Sequence, residues 1–192
     1  MYRFARVHYL WLAVMLAWSA SGMAAASDIA VERLATGDVL LLRHALAPGF
    51  GDPEKFRVAD CSTQRNLSDE GRQQARTIGA WLRARGIKQA RIYSSQWCRC
   101  LETAELLGIG KVVPLPGLNS FYQRPADREP NLAALRAFLA SQQASSEPLV
   151  LVTHQVTIAA LADIFPDSGE GVIATQGENG ELRNFARLSF GR

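Results

Sequence analysis

Asp38-Val39-Leu40-Leu41-Leu42-Arg43-His44 is the most informative segment of this 192-residue chain. A short, continuous apolar run that ends in polar residues is typical of a buried strand in a parallel sheet. A second run, Leu149-Val150-Leu151-Val152-Thr153, has the same character and ends in His154. We therefore expect two buried strands that each end in a histidine.

Helical and strand patterns alternate along the rest of the chain, which is typical of an α/β fold. We expect a three-layer sandwich with a mainly parallel central sheet, helices on both faces and an antiparallel hairpin at one edge. Helices are predicted from Ser68, from near Gln96, from Pro130 and through Ile158 and Leu161. Further strands are predicted at Arg91–Ser94, Lys111–Leu115, Gly171–Thr175 and Leu182–Phe190, the last two joined by a turn at Asn179-Gly180.

Residues 1–26 have the three parts of a secretory signal peptide. Arg3 and Arg6 form a basic start, an apolar run spans Tyr9–Trp18, and Ala24-Ala25-Ala26 resembles a cleavage site. The alternative is a membrane anchor, but a bilayer requires about 20 apolar residues, and this run is half as long. We therefore expect a cleaved, exported chain without a stable membrane anchor, located in the periplasm, with one domain at residues 27–192.

The composition is that of a globular protein, with 48% hydrophobic and 20% charged residues. Removal of residues 1–26 leaves 19 basic and 18 acidic side chains, so the formal charge falls from +3 to +1. Because no stripe of lysine and arginine remains, we expect no nucleic-acid partner.

Reactive side chains are expected at the carboxyl ends of the strands, where sheets of this type bind ligands. Arg43 and Arg99 offer forked donors that suit a tetrahedral oxyanion. His44 and His154 are the only histidines after residue 26, and a neutral imidazole can attack phosphorus. A zinc site would need more ligands, and the arginines would repel a cation. We therefore expect an anion pocket without a metal or other cofactor.

Four segments resemble the histidine phosphatase superfamily, which includes phosphoglycerate mutases and acid phosphatases. They occur in the family's order, from position 42 to position 154. The four segments are Leu42-Arg43-His44-Ala45, Leu67–Ala75, Ser94–Ala104 and Val152-Thr153-His154.

The resemblance implies a phosphoglycerate mutase-like fold and a histidine acid phosphatase-type phosphomonoester hydrolase that needs no metal. His44 would be the nucleophile and form a phosphohistidine, while Arg43, Arg99 and His154 would hold the phosphoryl oxygens. Further substrate contacts would come from Arg65 and Gln155. Because export is predicted, the chain resembles the periplasmic branch of the family, which includes the lipopolysaccharide core heptose phosphatase. A small phosphorylated substrate is therefore expected, and a sugar phosphate of the cell envelope is one candidate.

The family's usual general acids are absent from their positions. Ser120 stands where many members have glutamate, and Gln155 stands where others have aspartate after the second histidine. Substitutes are present in two loops, namely Asp127, Glu129, Asp52 and Glu54. Without an acid, an alkoxide is a poor leaving group at neutral pH. An alternative interpretation is therefore a phosphate-ester-binding or sensing protein that has lost turnover.

The three cysteines allow at most one bridge within the chain. Cys61 lies in the loop that leads to Arg65, and Cys98 begins the helix that bears Arg99. By the resemblance, both would lie near the pocket, so a Cys61–Cys98 disulfide is expected, while Cys100 takes the place of a small packed alanine. Cys61–Cys100 is the alternative pairing.

Overall fold

The computed structural model describes residues 29, 31–142, 145, 147–177 and 179–190. The predicted signal peptide, residues 1–26, lies outside this part of the chain. Among the described residues, no helix has the length and apolarity needed to cross a bilayer.

A six-stranded, mainly parallel sheet forms the centre of the protein, with the strand order β3-β2-β4-β1-β5-β6. β1 and β4 are parallel neighbours, and β2 pairs in parallel with both β4 and β3. β5 runs antiparallel to β1 and to β6, so the predicted hairpin forms one edge. The strand bounds are Val39–Arg43 (β1), Arg91–Ser94 (β2), Val112–Pro114 (β3), Leu149–Thr153 (β4), Gly171–Gln176 (β5) and Leu182–Leu188 (β6).

Helices cover both faces of the sheet, which confirms the predicted three-layer α/β sandwich. Their bounds are Asp69–Ala84 (α1), Cys98–Leu107 (α2), Arg128–Ser141 (α3) and Gln155–Ala162 (α4). Alternate residues of β1 serve the two faces, because successive side chains of a strand point in opposite directions. Leu40 and Leu42 pack in the cluster that includes α1 and α2. Val39 and Leu41 pack in the cluster that includes α3 and α4.

Helix α1 begins as predicted, because the Ser68 side chain caps it by accepting a hydrogen bond from the Gly71 amide at 3.1 Å. Gly79 lets α1 approach α2 closely, since a β-carbon at this position would overlap the carbonyl oxygen of Leu107. This contact sets the position of α2, which carries Arg99.

Several predicted boundaries differ from the structure by one or two residues, among them both ends of β3 and the end of β5. Helix α2 begins at Cys98 rather than near Gln96, and α3 begins at Arg128, two residues before Pro130. A proline is tolerated in the first helical turn because its missing amide would have no helical partner there. Strand β6 ends at Leu188 rather than at Phe190.

Candidate active site

His44 and His154, the two histidines predicted to form the site, lie together at the carboxyl ends of β1 and β4. The His44 amide donates to the Thr153 carbonyl at 2.9 Å, so the strands remain in register one residue beyond β1. The imidazole ring centroids of His44 and His154 lie 5.5 Å apart. Both rings are almost fully buried, with exposed fractions of 2% and 4%.

A pocket of about 280 Å³ opens above these histidines. Its wall contains every residue that was predicted to bind substrate or phosphate. These are Arg43, His44, Arg65, Arg99, His154 and Gln155. The loop after β1 adds Phe50 and Asp52, and the segment after β3 adds Ser120 and Tyr122.

The hydrogen bonding of His44 leaves one ring nitrogen available as a nucleophile. Its Nδ1 lies 2.8 Å from the carbonyl oxygen of Ala45. Because a carbonyl only accepts, this assigns the proton to Nδ1, and Nε2 of the neutral ring carries a lone pair. Burial together with the charges of Arg99, Arg65 and Arg43 lowers the pKa of His44 to about 3, although the Ala45 hydrogen bond acts in the opposite direction. The ring is therefore uncharged at neutral pH.

The half-buried Arg43 and the buried Arg99 line the pocket beside the two histidines. Arg43 donates from Nη1 to the Pro166 carbonyl at 2.8 Å, and Arg99 binds the Asp52 carboxylate. The Nε atom of each arginine is buried and has no hydrogen-bond partner within the described part of the chain. Buried donors without partners are costly, and an anion in the pocket would satisfy them.

His154 is oriented by a chain of side-chain contacts. Arg99 Nη2 lies 3.4 Å from Nδ1, and since a guanidinium only donates, the proton of the neutral ring is assigned to Nε2. Nε2 lies 2.9 Å from Ser95 Oγ, and this hydroxyl lies 3.3 Å from Asn119 Oδ1. Burial and the charge of Arg99 lower the pKa of His154 well below its ordinary value. Its ring is therefore neutral and held in one orientation.

Arg65 and Gln155 lie in the pocket wall but bind backbone carbonyls. Arg65 donates from Nε to Gly51 at 2.7 Å and from Nη1 to Ala47. Gln155 donates from Nε2 to Pro166 at 3.1 Å. These contacts tie the wall to the loop after β1 and to the loop after α4.

The structure does not bring Asp127 and Glu129 to the pocket, which corrects the expectation that one of them supplies a proton there. Asp127 pairs with Arg124 at 3.2 Å, and Glu129 pairs with Arg128. Both carboxylates are exposed and lie at the start of α3, where acidic groups stabilise the helix dipole.

Sequence reasoning considered Asp52 only as an acid, whereas the structure makes it the buried partner of Arg99. It did not single out Trp97 and Asn119, whose side chains contact Asp52 and Ser95. The residues of each pair come from separate segments of the chain, and no local pattern joins them. The only signal in the sequence was the placement of Asp52 in a long loop after β1.

The cysteine prediction is confirmed. Cys61 and Cys98 form a disulfide with an S–S distance of 2.03 Å, and Cys100 is a buried free thiol. The bridge joins the loop after β1 to the first residue of α2. Burial raises the pKa of the Cys100 thiol to about 12, so it remains protonated.

The two buried histidines predict that the protein loses stability in mild acid. The pKa of folded His44 lies below its ordinary value of 6.5, so the unfolded chain binds protons that the folded chain excludes. Stability is therefore complete above pH 6.5 and falls as the pH drops towards 3, by about 1.4 kcal/mol per pH unit for each histidine. Urea unfolding between pH 7 and pH 5 measures this slope. Replacement of His44 by asparagine should reduce it, and an unchanged slope would contradict the assignment.

Comparisons with known proteins test the predicted family and fold. The family model of the histidine phosphatase superfamily (branch 1) matches residues 39–121, so the predicted resemblance to this superfamily is confirmed. Comparison with curated proteins found no match.

Solved structures with the same fold include several phosphatases. The protein histidine phosphatase SixA with tungstate has a TM-score of 0.56 and 20% identity, over 79% of this chain and 96% of the other. Mycobacterial hydrolase 1 has a TM-score of 0.56 and 17% identity, over 80% and 97%. Mycobacterial glucosyl-3-phosphoglycerate phosphatase has a TM-score of 0.51 and 18% identity, over 79% and 96%. At these identities the likeness establishes the shared fold.

Proposed function

We propose that the protein is an exported phosphomonoester hydrolase that acts through a phosphohistidine on His44. One observation carries this proposal: the unprotonated Nε2 of a neutral, buried imidazole shares a pocket with two arginines whose buried Nε donors have no partner among the described residues. A phosphoryl group supplies what both features lack, since its phosphorus accepts the lone pair and its oxygens accept the donors. The family match supports phosphatase activity.

The reaction divides into two displacements. In the first, His44 Nε2 forms a bond to phosphorus while the bond from phosphorus to the leaving oxygen breaks, and that oxygen departs with the electron pair. In the second, a water oxygen attacks phosphorus, the N–P bond breaks, and the electron pair returns to Nε2. The proton lost by water balances the proton gained by the leaving oxygen, so the products are an alcohol and phosphate.

The arginines would stabilise the charge that develops on the phosphoryl oxygens. Arg43 and Arg99 are fixed by other contacts before substrate arrives, so they need little reorganisation during the reaction. Arg65 adds positive charge to the wall. The negative charge of a bound phosphoryl group would favour protonation of the His154 ring, which is neutral without a ligand. His154 would then donate to the same oxygens through Nδ1, because its Nε2 proton is directed to Ser95.

The predicted substrate is a small phosphorylated molecule. The predicted signal peptide favours a periplasmic compound, and a cell-envelope sugar phosphate is the candidate that this location suggests. None of the predicted roles requires a metal or another cofactor.

Hydrolysis of an aryl phosphate by the purified mature protein tests the proposal. An aryl oxygen leaves without help from an acid, so we expect turnover in the presence of a metal chelator and inhibition by vanadate. A broader panel of phosphoesters then ranks alkyl and sugar phosphates against the aryl compound. Absence of turnover above the uncatalysed rate would contradict the proposal.

A phosphate-ester-binding or sensing protein is the second candidate. This candidate is favoured by the ion pair between Asp52 and Arg99. Asp52 is the only carboxylate among the described residues that line the pocket, and the ion pair leaves it unable to act as an acid. Such a protein would be stabilised against heat by phosphate or vanadate but would release no phosphate from any ester. The aryl phosphate assay separates the two candidates.

A further inference from the structure

Asp52 occupies an unusual position for a carboxylate in an anion pocket, because it binds an arginine that is expected to bind phosphate. Its Oδ1 accepts from Arg99 Nη1 at 2.7 Å and from the Arg65 amide at 3.0 Å. Its Oδ2 accepts from Arg99 Nη2 at 3.1 Å and from Trp97 Nε1 at 3.0 Å. The side chains of Asp52 and Arg99 are each only 3% exposed. The carboxylate is therefore saturated with donors.

Because Asp52 is saturated with donors, it is not suited to act as the general acid. A proton on either oxygen would displace one of four donors. Burial raises the pKa of the carboxyl, but the hydrogen bonds and charge of Arg99, together with the hydrogen bonds from Arg65 and Trp97, outweigh burial and hold the pKa below its ordinary value. Asp52 is thus ionised at neutral pH and has no proton to give to a leaving group.

The contacts of Arg99 show what the ionised carboxylate can do. A guanidinium has two edges that each present a parallel pair of N–H donors, one formed by Nη1 and Nη2 and the other by Nε and Nη2. Asp52 occupies the first edge. On the second edge, Nη2 lies 3.4 Å from His154 Nδ1, and Nε has no hydrogen-bond partner among the residues that the structure describes. The edge that remains for an anion is therefore the Nε edge.

The charge of the pocket is consistent with a fixed carboxylate. Arg43, Arg65 and Arg99 together with Asp52 leave the pocket wall with a net charge of +2, which matches a phosphate dianion. Without Asp52, three guanidiniums would face one another around neutral histidines, and buried like charges repel strongly.

Asp52 is itself fixed by a residue from another loop. Its amide donates to Gln123 Oε1 at 2.8 Å, and Gln123 Nε2 donates to its carbonyl at 3.0 Å. With both backbone groups and both carboxylate oxygens held, Asp52 provides a rigid reference point for Arg99.

We propose that Asp52 is a positioning residue whose carboxylate holds the Nη1–Nη2 edge of Arg99, so that the Nε edge is presented to the phosphoryl group. The proposal rests on the proposed function, since it assigns a role within the same phosphate site. A misplacement of a binding group by about 1 Å can cost on the order of 100-fold in rate. Positioning by Asp52 is therefore expected to matter for both affinity and turnover.

Replacement of Asp52 by asparagine tests this role with little change in side-chain volume. We expect kcat/KM for an aryl phosphate to fall about 10- to 100-fold, and the inhibition constant of vanadate to rise. A carboxylate that merely competes with phosphate would give the opposite result, since its loss would tighten vanadate binding. Unchanged vanadate binding in Asp52→Asn would show that Asp52 has a purely structural role. Either result overturns the proposal.

Two further variants keep the test decisive. Trp97→Phe removes one hydrogen bond from Asp52 without altering a pocket residue, and we expect a smaller change in the same direction. Glu54→Gln is the matched control, because Glu54, which the sequence offered as a substitute acid, is an exposed carboxylate of the same loop and is not among the residues that line the pocket. This variant should behave like the wild type. If Asp52→Asn does not fold, an unchanged inhibition constant in Trp97→Phe would overturn the proposal.

The outcome can be separated from that of the proposed function. Calorimetric titration with vanadate measures binding in a protein that has no turnover. Loss of binding in Asp52→Asn would then support the positioning role even if the wild type hydrolyses no ester.

Discussion

Replacement of His44 by alanine is expected to lower kcat for an aryl phosphate by about 10⁵-fold or more. Among the described residues that line the pocket, only His44 has an unprotonated imidazole nitrogen without another partner. Without it, covalent catalysis is lost, and only the binding and electrostatic contributions of the arginines remain.

The covalent intermediate gives this prediction a second readout. Rapid quenching of the wild type with phosphate-labelled substrate should trap label on His44, and alkali-stable, acid-labile label would identify a phosphoramidate. His44→Ala should trap none, while Glu54→Gln should trap as much as the wild type. Full activity in His44→Ala would show that the nucleophile is a different group.

Replacement of Arg99 by methionine is expected to reduce both activity and stability. Loss of a fixed donor to the phosphoryl group should lower kcat/KM by about 10²- to 10³-fold. The same change leaves the Asp52 carboxylate buried without its counterion, which typically costs about 3–5 kcal/mol. Urea unfolding measures the second effect independently of the first.

A double variant separates the two effects of Arg99. In Arg99→Met/Asp52→Asn, no charge is left uncompensated, so most of the lost stability should return. Activity should not return, because the donor to phosphate is still missing. Recovery of activity in the double variant would show that Arg99 serves only to neutralise Asp52, and a single variant as stable as the wild type would show that the buried pair contributes little.

Much of the fold could be predicted from local patterns. The apolar runs that became β1 and β4 are buried on both faces, and such strands have few polar positions to obscure them. The start of α1 was also predictable, because a serine cap and two acidic residues lie in consecutive positions.

The start of α2 was less predictable because its signal is not local. The segment before Cys98 is held in an extended form by other loops, since the Gln96 amide donates to Asn119 Oδ1 at 2.9 Å and the Cys98 amide to Gln64 Oε1 at 3.0 Å. Both acceptors come from residues more than 20 positions away. A helix boundary of this kind depends on the tertiary fold.

The identity of the reactive groups follows from the amino-acid sequence. His44 and His154 end the two most apolar strands, and parallel strands place their carboxyl ends at one edge. The resemblance to a known family added Arg65, Gln155 and the role of His44 as the nucleophile. The sequence could not reveal how these groups restrain one another, because the partners of each charge lie far apart in the chain. Asp52 and Arg99 are 47 positions apart, and only packing of the loop after β1 against α2 buries them together. The tertiary structure therefore decided which carboxylate reaches the pocket, and burial beside an arginine made it an ion-pair partner rather than an acid.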